Sequence, residues 1–243
     1  MTDDLWEDHA DWWIDGFTEG ADPEYVEQIL PMAREELAGF DRVLDVGCGE
    51  GQISRLLAAD GASVVGIDPT WNQIRIAHER GGGAAFVRSG AAELPFADAS
   101  FDAVVACLVF EHIDDVDEAI AEVARVMRPG GRFSFFLNHP LIQTPGSYWI
   151  DDHTVEPPEQ YWRVGPYLAE QSFVEQVERG VFIRFVHRPL SRYVNALAAS
   201  GLVLERMVEP TPPAGFLALA EEYAAAAAIP RLLYLRLRRT ADQ

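Results

Sequence analysis

Apolar residues along the chain follow two periodicities, which predict strands and helices in alternation. Short apolar runs rich in β-branched residues predict five strands in the first part of the chain, at 42–46, 63–67, 85–87, 101–108 and 132–137. Apolar residues at helical spacing predict the helices before and between these strands, at 23–37, 53–59, 72–80 and 116–127. Strands that alternate with helices are typical of a doubly wound parallel sheet with helices on both faces.

The C-terminal part adds two more strands, and the last of them can reverse its direction. The pattern predicts, in order, a helix, a strand, an alanine-rich helix and a final strand, at 191–199, 203–208, 217–228 and 231–237. The final strand can insert antiparallel to its neighbours. We therefore expect an α/β fold with a seven-stranded, mostly parallel sheet whose last strand is antiparallel.

Two segments fall outside this alternation. Residues 1–21 combine acidic side chains with three tryptophans and a phenylalanine, and they predict an aromatic helical arm. The stretch 138–188 is rich in Pro, Trp, Tyr, His and acids, and it predicts a cap inserted into the core. We expect one domain over 1–243, made of an arm at 1–38, a core at 39–137, the cap at 138–188 and the end of the core at 189–243.

The arm leads into the helix predicted at 23–37. Asp22 precedes this helix and fits the N-cap position, where a carboxylate accepts hydrogen bonds from free backbone N–H groups. Helical spacing assigns five apolar residues to the face that packs on the core, namely Val26, Ile29, Leu30, Ala33 and Leu37.

Charge and composition exclude some partners. The chain has a formal net charge of −20, and all 19 of its Lys and Arg residues are arginine. Nucleic acids bind through clustered cations, so this charge disfavours DNA and RNA. No apolar run is long enough to span a membrane and the N-terminus lacks a signal-peptide pattern, which predicts a cytoplasmic protein.

The two cysteines lie far apart in the sequence and predict no disulfide framework. The histidines show no spacing that is typical of metal ligands. The sequence does not indicate an oligomeric state.

A glycine-rich turn follows the first predicted strand, in the segment VLDVGCGEGQ at 43–52. A dinucleotide site favours the spacing G-x-G-x-x-G, whereas this turn has G-x-G-x-G and places Asp45 beside it. A carboxylate there is unfavourable for a pyrophosphate but suits an amino group. The helix that begins after the turn suits a carboxylate. The methionine part of S-adenosylmethionine has both groups.

A second acid, Asp68, ends the second predicted strand. A carboxylate at this position can accept hydrogen bonds from both ribose hydroxyls of a nucleoside cofactor. Because any purine nucleoside cofactor could use such an acid, an NAD(P)-dependent oxidoreductase stays open as an alternative at this point.

Five segments in order carry a resemblance to a known family. They are VLDVGCGEGQ at 43–52 with Asp68, AAELPF at 91–96, SFDAV at 100–104, EHI at 111–113 and RPGG at 128–131. They resemble successive motifs of the class I S-adenosylmethionine-dependent methyltransferases, and most closely those of the ubiquinone/menaquinone-biosynthesis type. The resemblance covers roughly residues 40–140 and implies a Rossmann-like fold.

The resemblance also implies a cofactor site of ten residues, Asp45, Gly47, Cys48, Gly49, Asp68, Pro69, Ala91, Ala92, Cys107 and Leu108. In that site Asp45 faces the methionine amino group and Asp68 holds the ribose. The backbone of Ala91 and Ala92 recognises the adenine edge. One residue departs from the family pattern, since Gly90 stands where the family usually has an aspartate, and the side-chain contact to adenine is in doubt.

The implied reaction is methyl transfer from S-adenosylmethionine to an oxygen, nitrogen or carbon of a small organic acceptor, with S-adenosylhomocysteine as the product. The candidates for a proton-accepting side chain are His139, His187, His112 and His153. The residues expected to contact the acceptor are Trp13, His139, Trp149, Tyr161 and Trp162. A methyltransferase-like protein that binds the cofactor without catalysis and a nucleic-acid methyltransferase are the remaining alternatives.

Overall fold

A seven-stranded sheet organises the chain, and the computed structural model describes residues 5–221 and 225–241 of it. The described residues form eleven strands, β1 Arg42–Val46, β2 Ser63–Asp68, β3 Ala85–Arg88, β4 Phe101–Cys107, β5 Met127–Asn138, β6 Tyr148–Asp152, β7 Glu159–Arg163, β8 Gln171–Glu178, β9 Val181–His187, β10 Leu202–Val208 and β11 Leu232–Arg239. In the large sheet their order is β10-β11-β5-β4-β1-β2-β3.

The large sheet is parallel except for one strand. β1 pairs in parallel with β2 and β4, which pair in turn with β3 and β5. β11 inserts antiparallel between β5 and β10. The predicted Rossmann-like, mostly parallel seven-stranded sheet with an antiparallel last strand is therefore confirmed.

Helices cover both faces of this sheet. The α-helices in the described residues are α1 Leu5–Asp8, α2 Ala10–Phe17, α3 Leu30–Leu37, α4 Gln52–Ala59, α5 Trp71–Arg80, α6 Val116–Val126, α7 Leu190–Ala199 and α8 Ala214–Leu219. A π-helical turn covers Tyr25–Ile29, and 3₁₀ turns cover Phe110–His112 and Ala226–Ala228. Within the described residues, no helix combines the length and the apolar character that a bilayer crossing requires.

The central strands are buried on both sides, as the apolar runs predict. Along β1, Val43 packs with the residues of α3 and α4, whereas Leu44 packs with those of α6 and α7. Neighbouring β4 repeats the pattern with Val105 on the first side and Val104 on the second. Side chains alternate across a strand, so two opposite apolar clusters hold the sheet between the helical layers.

The helix predicted at 23–37 forms, but its first turn differs from the prediction. Asp22 caps it, because its Oδ1 accepts the N–H groups of Glu24 at 2.6 Å and Tyr25 at 3.1 Å. The π-helical turn shifts the register by one residue. Tyr25 is therefore buried, whereas Val26, which helical spacing assigns to the core face, is 45% exposed.

The cap predicted at 138–188 consists of two antiparallel hairpins, β6–β7 and β8–β9. Only the strand at 181–187 has a clear strand pattern in the sequence. The arm bonds to the second hairpin, since Trp12 Nε1 donates to Glu178 at 2.9 Å. The arm also bonds to the core, where the Glu7 carboxylate accepts the N–H groups of Trp71 at 2.7 Å and Asn72 at 3.1 Å.

Of the described residues in the alanine-rich helix predicted at 217–228, only 217–219 are α-helical. The helix there begins at Ala214 and ends at Leu219, and a 3₁₀ turn covers Ala226–Ala228. Residues 222–224 of the prediction lie outside the described residues. Alanine has high helix propensity, but a short helix needs an apolar face to pack, and Leu219 is 73% exposed.

The turn after β1 requires glycine at its first position. Gly47 has φ of 71°, a conformation that disfavours any residue with a Cβ. A Cβ at Gly47 would also lie 2.2 Å from Cγ2 of Val109, on the segment that follows β4. The close approach of these two segments therefore depends on the missing side chain.

We expect Gly47→Ala to destabilise the protein more than Gly39→Ala. Gly39 has a similar φ of 81°, but nothing lies within 4 Å of the position that its Cβ would take, so it isolates the backbone strain. The clash with Val109 should add about 1–3 kcal/mol to the loss of unfolding free energy. Urea denaturation measures both, and equal losses for the two variants would show that the contact with Val109 is unimportant.

Candidate active site

The carboxyl ends of β1, β2 and β4 meet at one edge of the sheet, beside a cavity of about 280 Å³. These strands are parallel neighbours, so the turns that follow them leave the sheet side by side. Ligands bind at this edge in open α/β sheets. We refer to this space, lined by Asp45, Gly49, Asp68 and Leu108 among others, as the first cavity.

Asp68 ties the turn after β1 to the end of β2. Its Oδ2 accepts the N–H of Gly49 at 3.1 Å, and its Oδ1 accepts the N–H of Thr70 at 2.8 Å. The N–H of Cys48 adds a bond of 2.8 Å to the carbonyl oxygen of Ile67. These bonds orient the Asp68 carboxylate and the glycine turn along the wall of the first cavity.

Asp45 is a buried acid at the base of the first cavity, with 2% of its surface exposed. Burial raises the pKa of its carboxyl to about 7, and the negative charges of Asp68 and Glu50 act in the same direction. The hydroxyl of Ser54 donates to Oδ2 at 2.7 Å and opposes this shift. A cation placed beside Asp45 would stabilise its ionised form.

Tyr25 and Cys107 form an uncharged part of the wall. The Tyr25 hydroxyl lies 3.7 Å from Cys107 Sγ, and burial raises the pKa of both groups. Cys107 is therefore a thiol, which is a poor nucleophile. The next residue, Leu108, has φ of 55°, and such a conformation in a residue with a side chain is a local strain often found at functional sites.

The structure brings nine of the ten predicted cofactor residues to the first cavity, namely Asp45, Gly47, Cys48, Gly49, Asp68, Pro69, Ala91, Cys107 and Leu108. The tenth, Ala92, is exposed and is not part of the lining. Gly90 has no side chain, and nothing lies within 4 Å of the position that a Cβ would take there.

Sequence reasoning missed several residues of the first cavity. Trp6 reaches it from the arm, Tyr25 from the π-helical turn and Gln73 from α5. The register shift at the π-helical turn conceals Tyr25 in the sequence pattern. Gln73 is 2% exposed, and its Oε1 has no hydrogen-bond partner in the described structure, which marks a polar group that a ligand could satisfy.

A second cavity of about 580 Å³ lies on the other side of the arm residues. It is enclosed by the arm, the π-helical turn and both hairpins of the cap. Five residues line both cavities, namely Trp6, Trp13, Tyr25, Leu108 and His112. The two spaces therefore adjoin, and their common boundary follows the end of β4.

Of the four aromatic residues predicted to contact an acceptor, two line the second cavity and two do not. Trp13 and Trp162 line the second cavity. Trp149 lies behind Trp162, with the ring centroids 5.5 Å apart in an edge-on arrangement, and does not line the cavity. Tyr161 is 45% exposed because residues alternate across β7, so it points away from the face that carries Trp162.

Two of the four candidate histidines are committed to other protein groups. The N–H of Leu141 donates to His139 Nδ1 at 3.1 Å, so the His139 proton lies on Nε2, which donates to Glu209 at 2.7 Å. His187 is 1% exposed, and its Nε2 donates to the carbonyl oxygen of Tyr167 at 2.8 Å. Neither residue lines either cavity, and their roles as bases and the acceptor contact of His139 stay predictions.

The remaining two histidines, His153 and His112, differ in whether they line a cavity. His153 is exposed in the turn between β6 and β7 and lines neither cavity, and its role as a base stays a prediction. His112 ends the 3₁₀ turn after β4 and lines both cavities.

Among the residues that the structure describes, no group of three His, Cys, Asp or Glu side chains could hold a metal ion.

Residues 44–135 match the family model described as "Methyltransferase domain". This segment begins in β1 and ends in β5, so it contains the glycine turn and the residues after β4.

Curated relatives match over part of their length. The 27-O-demethylrifamycin SV methyltransferase of Amycolatopsis mediterranei is 34% identical over 172 residues, which is 64% of this chain and 60% of that protein. The ubiquinone biosynthesis O-methyltransferase of Agrobacterium fabrum is 40% identical over 116 residues, which is 46% of each chain. This chain thus spans about half the length of the curated relatives that it matches.

A solved structure agrees over most of the fold. An S-adenosylmethionine-dependent methyltransferase from Mesorhizobium loti superposes with a TM-score of 0.73 at 27% identity, covering 86% of this chain and 96% of that one. The motif order, the sheet topology, the family match and this superposition agree. The segment 44–135 of this chain is therefore a methyltransferase domain, and its fold is shared with an S-adenosylmethionine-dependent methyltransferase.

Proposed function

We propose that this chain transfers a methyl group from S-adenosylmethionine, bound in the first cavity, to a small organic acceptor bound in the second. The observation that carries this proposal is the common boundary of the two cavities at the end of β4. A transfer between two bound molecules requires that their reacting atoms meet, and this boundary is the place where they can.

The residues of the first cavity fit the cofactor. Asp45 and Asp68 provide carboxylates for the ammonium group and the ribose hydroxyls. A Cβ at Gly49 would point between Trp13 and Gln73, each 3.7 Å away, so the absence of a side chain keeps this part of the cavity open. Three acids and no arginine line the cavity among the described residues, which favours a cationic ligand over a dinucleotide.

When bound, S-adenosylmethionine supplies an electrophilic methyl group and its own leaving group. The chain has to bind, orient and shield the two reactants. Trp6 and Trp13 of the arm line both cavities, so their rings lie at the boundary between them. Glu7 fastens the arm to the start of α5, which positions these two rings. Orientation of this kind is worth up to about 7–11 kcal/mol in favourable cases.

The enclosure of the second cavity supports a small organic acceptor. Most of its wall comes from the arm and the cap, which lie outside the family motifs, and Leu108, His112, Arg231 and Leu232 complete it. Its volume of about 580 Å³ is in the usual range for a drug-sized ligand. Two relatives are named as methyltransferases of a rifamycin and of ubiquinone biosynthesis, which is consistent with a small-molecule acceptor.

Isothermal titration tests the cofactor assignment. We expect S-adenosylhomocysteine to bind one-to-one and NADH to give no heat of binding. The acids of the first cavity favour the amino group of the first ligand and repel the pyrophosphate of the second. Binding of NADH, or no binding of S-adenosylhomocysteine to the folded protein, would contradict the proposal.

Asp68→Ala should weaken binding of S-adenosylhomocysteine by about 10- to 100-fold, the usual value of charged hydrogen bonds to two hydroxyls. The matched control is Asp60→Ala, because Asp60 is an acid that follows α4 and pairs with Arg34 on the surface. Titration calorimetry measures the affinities, and thermal unfolding of both variants verifies that they fold. An unchanged affinity in Asp68→Ala would refute the ribose contact.

Binding of S-adenosylhomocysteine should weaken as the pH falls from 8 to 6. The pKa of Asp45 is raised to about 7 by burial, so this acid is ionised above that pH and becomes neutral below it. A neutral Asp45 cannot pair with the ammonium group, so the affinity should fall by up to about tenfold per pH unit below 7. In Asp45→Asn the affinity should be lower and independent of pH over this range, and equal slopes in both proteins would exclude Asp45 as the source.

A further inference from the structure

His112 lies at the boundary between the two cavities, where it is held by specific contacts. Its Nδ1 lies 2.8 Å from the backbone carbonyl oxygen of Arg184 in the cap. The ring of Trp6 meets it edge-on at a centroid distance of 4.8 Å, and the ring of Phe185 lies at 4.7 Å. The imidazole is therefore fixed by the arm on one side and by the cap on the other.

The contact with Arg184 decides which ring nitrogen carries the proton. A carbonyl oxygen can only accept a hydrogen bond, so Nδ1 of His112 must donate and carry the hydrogen. The lone pair of the neutral ring then lies on Nε2. No described residue forms a hydrogen bond with Nε2, and His112 lines both cavities, so this lone pair is available to a bound molecule.

The surroundings of His112 keep the ring neutral. Burial among aromatic side chains lowers its pKa to about 4, although the bond to the Arg184 carbonyl opposes this effect. The ring is therefore neutral at physiological pH, and its Nε2 lone pair can accept a hydrogen bond.

The second cavity indicates which kind of molecule reaches His112. Aromatic side chains form part of its wall, including Trp12, Phe17, Trp162 and Phe173, and charged side chains such as Glu175 and Arg231 also line it. Two buried polar atoms of this wall have no partner in the described structure, Gln28 Oε1 and Trp162 Nε1. The walls suit a planar, largely apolar molecule, and these two atoms suit one donor and one acceptor group on it.

We propose that His112 Nε2 accepts the proton of a hydroxyl group on a planar, largely apolar acceptor, so that this chain methylates oxygen. This inference rests on the proposed function and adds the acceptor class and the proton-accepting residue. The hydroxyl lies at the cavity boundary, and the rest of the molecule occupies the second cavity.

The atoms and charges of this transfer balance. The proton of the hydroxyl goes to Nε2 of His112, and a lone pair of its oxygen forms the bond to the methyl carbon. The carbon–sulfur bond breaks, and its electron pair stays on sulfur. One positive charge leaves the sulfonium as one appears on the imidazole, so the boundary gains no net charge.

Radiolabelled methyl transfer with two hydroxyl acceptors tests the role of His112. The acceptors are 2-naphthol, which is neutral at pH 8, and 4-hydroxycoumarin, which is already ionised there. His112→Gln retains an amide N–H but cannot take up a proton. It should slow transfer to 2-naphthol by about 10²- to 10⁴-fold and transfer to 4-hydroxycoumarin by less than about tenfold.

The matched control is His153→Gln, the same substitution in the exposed turn between β6 and β7. It should transfer methyl groups to both acceptors at the rate of the unmodified protein. An equal loss for both acceptors in His112→Gln would indicate a packing role and overturn the proposal.

Nitrogen NMR of histidine-labelled protein provides a readout that needs no turnover. In the complex with S-adenosylhomocysteine, His112 should show the tautomer with hydrogen on Nδ1. Addition of 2-naphthol should move the Nε2 signal of His112 upfield as it accepts a hydrogen bond. The opposite tautomer, or an Nε2 signal that does not respond, would overturn the proposal.

Two experimental results distinguish an error in the hydroxyl proposal from an error in the methyltransferase proposal. If S-adenosylhomocysteine binds and 2-naphthylamine is methylated while neither hydroxyl compound is, the methyltransferase proposal stands and the hydroxyl proposal is wrong. If S-adenosylhomocysteine does not bind, both are wrong.

Discussion

The site depends on the parallel pairing of β1 with β2 on one side and β4 on the other. This pairing brings three strand ends to one edge and requires the turn after β1 to pass close to the segment after β4. Gly47 permits that approach, and the bond from the Gly49 N–H to Asp68 holds the turn against β2. The carboxylates of Asp45 and Asp68 consequently face one cavity. Burial makes ionised Asp45 costly in the free protein, so a cationic ligand recovers electrostatic free energy when it binds.

The two cavities are built from different parts of the chain. The first is made mainly by the turns of the parallel sheet, whose glycines and acids follow a regular pattern in the sequence. The second is made by the arm and the two cap hairpins, which supply mostly aromatic side chains. A shared fold can therefore keep its cofactor chemistry while loops and insertions change the acceptor. The arm connects both parts, because Trp6 and Trp13 line each cavity.

The candidate histidines show where sequence reasoning reaches its limit. His139, His187 and His112 all follow or end strands, so position in the sequence does not distinguish them. Their roles depend on partners far away in the chain: Glu209 engages His139, and the Arg184 carbonyl engages His112. Of these three, only His112 lines the two cavities. Such long-range pairs leave no local pattern.

The sequence by itself determined the elements of the core, their order and the glycine turn with its two acids, because these depend on local periodicity and on residues next to each other. The tertiary structure decided the features that depend on contacts between residues far apart in the chain. It placed Tyr25 on the buried face through a π-helical turn, limited the alanine-rich helix near Leu219, and folded the cap into two hairpins. It also decided which aromatic side chains enclose the second cavity, since hydrophobic contact has no preferred direction and the same residues could pack in many arrangements.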